Sequence, residues 1–120
     1  MENKFLCESD YRFMSVIWDN EPVNSTRLVE LCAEKLGWKK STTYTMIKKM
    51  CEKGLAKSEN AVVSSVTARG EVQATASEKF VEQTFGGSLP MFLTAFLGGK
   101  TISEDEAREL KKLIDGHKEA

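Results

Sequence analysis

Ser41, Thr42, Tyr44 and Thr45 set short hydrogen-bonding side chains close together, and Lys48 and Lys49 follow about one helical turn later. Met46, Ile47, Met50 and Cys51 fall at i, i+1, i+4 and i+5, the spacing of one apolar helical face. Thr42, Thr45, Lys48, Lys49 and Glu52 fall on the opposite face. A helix of this kind offers donors and acceptors flanked by cations, which suits a DNA major groove. On this reading Thr42, Tyr44 and Thr45 meet base edges, while Lys40, Ser41, Lys48 and Lys49 hold phosphates or guanine. The plainer alternative is an ordinary solvated amphipathic helix.

Catalysis has little support. No cysteine-histidine pair has catalytic spacing, and no glycine-rich phosphate loop or metal-ligand cluster is present in the sequence. His117 is the only histidine, in a polar tail, and the three cysteines, Cys7, Cys32 and Cys51, are widely spaced. An odd, scattered set does not form a disulfide framework. Cys32 and Cys51 lie on apolar helical faces and are expected to be buried free thiols. A non-enzymatic protein with neither metal nor cofactor is expected.

Charge is distributed unevenly. The 120 residues carry a net charge of −1, which argues against indiscriminate binding to nucleic acid. Residues 35–57, however, hold seven lysines and a single acid, Glu52, a local charge of +6. Phosphate attraction acts locally, so such a patch is compatible with specific DNA binding. The opening residues Met1 to Glu8 lack the apolar core and cleavage site of a signal peptide, and no apolar run is long enough to span a bilayer. A cytoplasmic location is the expectation.

The elements that must position the basic helix can be read from periodicity and punctuation. A first helix is expected from about Ser9 or Asp10 to Asp19, with Ser9 as its cap and Tyr11, Met14, Val16, Ile17 and Trp18 apolar. Pro22 ends it, and Val23-Asn24 can form a very short strand. Ser25 is expected to cap a helix over 26–36 that Gly37 closes, and Ser41 to cap the third helix, which Gly54 stops. Two helices joined by a short glycine-containing turn form a helix-turn-helix. Residues 55–59 and 62–67 then read as strands around Asn60-Ala61. The expected architecture is mostly α with a small β wing: a winged helix-turn-helix domain over residues 1–70 and a helical region over 71–120.

Three further helices are expected in that second region: 75–85, 89–97 capped by Ser88, and a last one opened by the capping box Ser103 to Glu106 and running to about Asp115. Phe80, Phe85, Leu89, Phe92, Leu93, Phe96, Leu97, Leu110 and Leu113 give these short helices more apolar surface than fifty residues can enclose. A second copy of the chain is the expected cover, since obligate dimer interfaces resemble a core cut in half. A two-fold dimer would also set two recognition helices a whole number of DNA turns apart. The alternative is that the helices fold back over the N-terminal domain.

The chain resembles the penicillinase-repressor family, the BlaI/MecI/CopY type, over nearly its full length. The resemblance rests on Glu8-Ser9-Asp10-Tyr11 through Val16-Ile17-Trp18 and on Pro22-Val23. It continues in Gly37-Trp38-Lys39-Lys40-Ser41-Thr42-Thr43-Tyr44-Thr45-Met46, Lys49-Met50-Cys51-Glu52-Lys53-Gly54-Leu55, Phe85-Gly86-Gly87 and Ser103 to Leu110. It implies a homodimeric repressor of a palindromic double-stranded operator. In the β-lactam-responsive branch a membrane sensor protease triggers cleavage at an Asn-Phe bond. The nearest match here is Ala95-Phe96, without the asparagine. The copper-responsive branch carries Cys-x-Cys motifs that this chain lacks after Cys51. The family's second wing strand is commonly aromatic and basic, whereas Val62-Val63-Ser64-Ser65 is neither, which leaves hydroxyls such as that of Ser64 as donors.

The leading expectation is a homodimeric, sequence-specific transcriptional repressor, of antibiotic-resistance genes if it follows the β-lactam-responsive branch, released from DNA by loss of dimerisation. The competing one is a winged-helix module that binds proteins and has lost DNA binding.

Overall fold

The computed structural model describes residues 6–119; Met1 to Phe5, most of the opening segment read above, and Ala120 lie outside the described residues. The elements run α1 (Glu8–Asn20), β1 (Val23–Asn24), α2 (Ser25–Leu36), α3 (Lys40–Glu52), β2 (Ala56–Glu59), β3 (Val62–Ser65), α4 (Arg69–Phe85), α5 (Leu89–Leu97) and α6 (Glu104–Gly116). This is a winged helix followed by three further helices, as the sequence leads one to expect. No helix among the described residues is long and apolar enough to cross a membrane.

The winged-helix core forms where the apolar stripes of α1, α2 and α3 converge. Met14 and Ile17 of α1, Leu28 and Cys32 of α2, Met50 of α3, Leu55 just before β2 and Val63 of β3 are fully buried. Phe13, absent from the expected stripe of α1, is also fully buried and stacks on Trp38 at 5.7 Å. That stack seats the connection between α2 and α3. Gly37 closes α2 with φ +69°, a left-handed conformation that costs glycine little, and its N–H donates to the Ala33 carbonyl.

Three helix starts differ from expectation. Ser9, Ser25 and Ser41 all lie inside their helices. Cys7 and Lys39 stand at the starts of α1 and α3 without a side-chain cap bond, and Asn24 caps α2 by accepting from the Thr26 N–H at 2.9 Å. Asparagine is as good a cap as serine, and its position is set by β1, which ends at Asn24 because it pairs with β3 there. Downstream, Ser88 and Ser103 do cap α5 and α6, accepting from the Met91 and Glu106 N–H groups at 3.1 Å each.

The sheet has the order β1-β3-β2 and is antiparallel throughout. Asn60 and Ala61, with φ +53° and +64°, form the two-residue turn between β2 and β3. Positive φ at both positions matches the right-handed twist of a hairpin. It suits asparagine and strains alanine, and the Ala61 carbonyl is held by the Ser25 N–H at 2.8 Å. The wing is thereby tied to the start of α2.

Helix α4 begins six residues earlier than expected, at Arg69 rather than Thr75. Gly70 costs about 1 kcal/mol in a helix, but tertiary contact with α1 outweighs that propensity. Val72 is the only buried residue of α4, and none of α5 or α6 is buried. Phe80, Phe85, Phe92 and Phe96 cluster with ring centroids 5.6–6.1 Å apart, yet Phe80 and Phe96 remain about half exposed. The radius of gyration is 18.0 Å; about 13.5 Å would suit a compact chain of this length. Thus α5 and α6 stand away from the winged helix instead of folding back over it.

Candidate nucleic-acid interface

The exposed face of α3 follows from what its other face must bury. Thr43, Ile47 and Met50 face the core, spaced three and four residues apart. That rotation turns Lys40, Ser41, Thr42, Tyr44, Thr45 and Lys48 out to solvent. Tyr44 lies over the start of α2, its hydroxyl 3.5 Å from the Ser25 Oγ, and keeps 41% of its surface exposed. The structure therefore brings six of the residues singled out above onto one surface.

Lys49, though 44% exposed at its side chain, is tied back to α1. Its Nζ lies 3.1 Å from Asp10 Oδ1, and Lys53 Nζ lies 3.1 Å from Asp10 Oδ2. Asp10 is 1% exposed, so the carboxylate is sunk between α1 and α3 with a lysine on each oxygen. Burial is the largest influence on this carboxyl and pushes its pKa up. The hydrogen bonds from Lys49 and Lys53, with a smaller one from Cys7, together outweigh it and leave the pKa below the ordinary value. Lys49 and Lys53 thus anchor the helix, and the local positive charge available to a ligand shrinks accordingly. Sequence reasoning missed Asp10 because its spacing on α1 looks like that of a capping acid. Only the crossing of α1 with α3 places it opposite two lysines.

Ser64 sits half-buried in β3. Its neighbour Ser65 is committed to Glu21, whose carboxylate accepts from the Ser65 N–H at 2.7 Å and from its hydroxyl at 2.8 Å. The wing tip presents Ser58, Glu59 and Asn60 to solvent, with Lys57 exposed earlier in the same strand. Cys32 is buried as expected, whereas Cys51 is only partly so. Burial raises both thiol pKa values, which makes both poor nucleophiles at neutral pH.

The penicillinase repressor family profile matches residues 6–116. The methicillin resistance regulatory protein MecI of Staphylococcus aureus (strain N315) is 21% identical over 121 residues, spanning 96% of this chain and 98% of MecI. The penicillinase repressor of Bacillus licheniformis is 20% identical over 117 residues, spanning 94% and 91%. Among solved structures, the monomeric form of Bacillus licheniformis BlaI in complex with the blaP half-operator aligns with a TM-score of 0.48 at 18% identity, over 55% of this chain and 85% of that one. The named relatives are regulators and not enzymes. With a profile match across almost all of its length, the chain belongs to the penicillinase repressor family.

Proposed function

We propose that the protein is a dimeric, sequence-specific DNA-binding repressor that reads its operator with the exposed face of α3. The observation that carries this reading is the set of Ser41, Thr42, Tyr44, Thr45, Lys40 and Lys48 on one solvent-facing surface of the second helix of a helix-turn-helix. Thr42, Tyr44 and Thr45 are the base-reading candidates, and Lys40, Ser41 and Lys48 the phosphate or guanine contacts. Lys49 leaves that set because Asp10 holds it. Ser64 is retained only as a peripheral wing contact. Relatives named as repressors support the same assignment.

Operator selection from random duplexes, followed by titration at several salt concentrations, tests it. Thr45→Ala is expected to weaken the selected operator by about 1–3 kcal/mol and to leave random DNA nearly unaffected. Lys48→Ala is expected to weaken both and to reduce the salt slope by about 0.9 if it meets one phosphate. Lys49→Ala should leave that slope in place. Failure to enrich any duplex, with capture of a protein instead, would favour the interaction-module reading.

The pairing of the C-terminal region with a second copy completes the proposal. The exposed apolar residues of α4, α5 and α6, Phe80, Leu89, Phe96, Leu110 and Leu113 among them, support it. Phe85, Phe92, Leu93 and Leu97 are partly buried and form the inner side of the same surface. Release from DNA would then follow from loss of this pairing. Ala95 and Phe96 are exposed in the last turn of α5, where a protease acting downstream of a membrane sensor would remove α6. A chain ending at Ala95 is expected to keep a folded winged helix and lose tight operator binding. Antibiotic-resistance genes are the regulated set that the family's named members suggest.

A further inference from the structure

In a dimer paired through the C-terminal helices, the direction in which α4 leaves the winged helix sets where the second recognition helix lies. Val72 is the one buried residue of α4, and a single apolar anchor allows a helix to pivot. Polar contacts surround that anchor. Arg69 Nη2 donates to Asp19 Oδ1 at 2.7 Å and to the Ser15 carbonyl at 3.3 Å, while the guanidinium lies 5.3 Å from the centre of the Trp18 ring. Trp18 Nε1 donates to the Thr67 carbonyl at 3.0 Å, just before the helix starts. One turn further along, Gln73 Nε2 donates to the Tyr11 hydroxyl at 3.0 Å, and Tyr11 itself packs edge-on against Trp18 at 5.6 Å.

Arg69, Val72 and Gln73 are spaced i, i+3 and i+4, so all three lie on one face of α4. Tyr11, Ser15, Trp18 and Asp19 form the matching stripe on α1, at i, i+4, i+7 and i+8. The bonds and ring contacts given above involve neither the outward face of α3 nor the aromatic cluster of α4 and α5. Their shared consequence is orientation. The helix has 17 residues, about 25 Å at 1.5 Å per residue. A pivot of about 10° at its base therefore moves its far end by about 4 Å. That displacement is of the order of the ~3.4 Å rise of one base pair.

We propose that the Arg69–Asp19–Trp18 contact, with the Gln73–Tyr11 bond, is a clamp that sets which half-site spacing the dimer accepts. The inference rests on the dimeric DNA-binding reading above and adds to it a determinant outside both the recognition helix and the dimer surface. The clamp reads no base. It decides whether the second recognition helix meets its half-site when the first is engaged, so it acts on avidity and leaves half-site affinity alone.

Arg69→Ala and Asp19→Ala test it in the full-length protein. The first removes a cation and the second an anion, so an effect they share is not phosphate attraction. The readouts are binding to a single half-site and to operators whose spacer is changed by one or two base pairs. Wild type is expected to lose at least ~10-fold for one added base pair, part of the ~10²–10⁴ that two-site engagement supplies. Both variants are expected to reduce that penalty to about threefold or less, with half-site affinity and dimer mass unchanged. Unchanged spacing profiles in both variants would overturn the proposal.

A DNA-free arm separates this failure from failure of the function reading. Labels on unnatural residues at Glu34 and Thr84 report the angle between the winged helix and the end of α4. A narrow distance distribution in wild type that broadens in Arg69→Ala supports the clamp. Equal widths overturn it, whatever the DNA results. Absence of any duplex binding by wild type overturns the repressor reading, and the label distances still decide the clamp.

Discussion

Replacing Lys49 and Lys53 together with alanine is expected to cost about 3–5 kcal/mol of folding stability, because it leaves the Asp10 carboxylate buried and unpaired. Asp10→Ala should cost less, about 1–3 kcal/mol, since the lysines it abandons are 44% and 31% exposed and can turn back to water. The order of the two effects is the test. A double variant no less stable than Asp10→Ala would mean that the carboxylate is effectively solvated in solution. The pH dependence carries a sign of its own. In the wild type the folded pKa of Asp10 is lowered from 3.8, so its contribution is fully present above 3.8 and is lost as pH falls through the lowered folded value. Without the lysines, burial dominates and the carboxyl pKa rises. The deficit of the double variant should therefore shrink as pH is lowered toward 3.8, which urea unfolding at neutral and mildly acidic pH will measure.

Phe96→Asp and Leu113→Asp are expected to abolish dimerisation and, with it, tight operator binding. Both side chains are more than half exposed in the single chain, at 55% and 57%, so neither holds much of the protomer's own interior. Phe92 is a poorer probe, since it contacts three other rings and joins α4 to α5. Each substitution occurs twice in a two-fold dimer, and each buried side chain of this size contributes about 1.5–3 kcal/mol, so one change removes about 3–6 kcal/mol of association energy and adds a buried charge. Sedimentation should show monomers at micromolar concentration. Operator affinity should fall by about 10²–10⁴ while binding to an isolated half-site is retained. Dimers that survive both substitutions would place the interface elsewhere.

The order of elements was legible in the chain because local signals agree with one another. Pro22, Gly37, Gly54 and the Gly86-Gly87 and Gly98-Gly99 pairs punctuate it, and periodicity fills the spaces between them. Helix starts were less legible. Serine is abundant near three of them, but pairing of β1 with β3 and packing of the first turns decided which residue stands outside each helix. Helix α4 was read too short for a related reason. Gly70 signals a break locally, and the contacts of Arg69 and Gln73 with α1, fifty or more residues away in sequence, override it.

The candidate surface divides along the same line. Sequence by itself determined that a helix follows Ser41 and stops near Gly54, with hydroxyl groups near its start, lysines further on and one apolar face, because side-chain direction repeats every 3.6 residues. The family followed from the order of several short motifs. Only the tertiary structure decided which lysines remain available. Lys48 and Lys49 are adjacent in sequence, and the sequence does not distinguish them; Lys48 is exposed and given to no partner among the described residues, while Lys49, 44% exposed at its side chain, is held by Asp10 across the α1–α3 crossing. The direction of α4 was likewise invisible in the sequence. It depends on side chains from two helices that meet only when the chain is folded, and no local propensity encodes the angle between them.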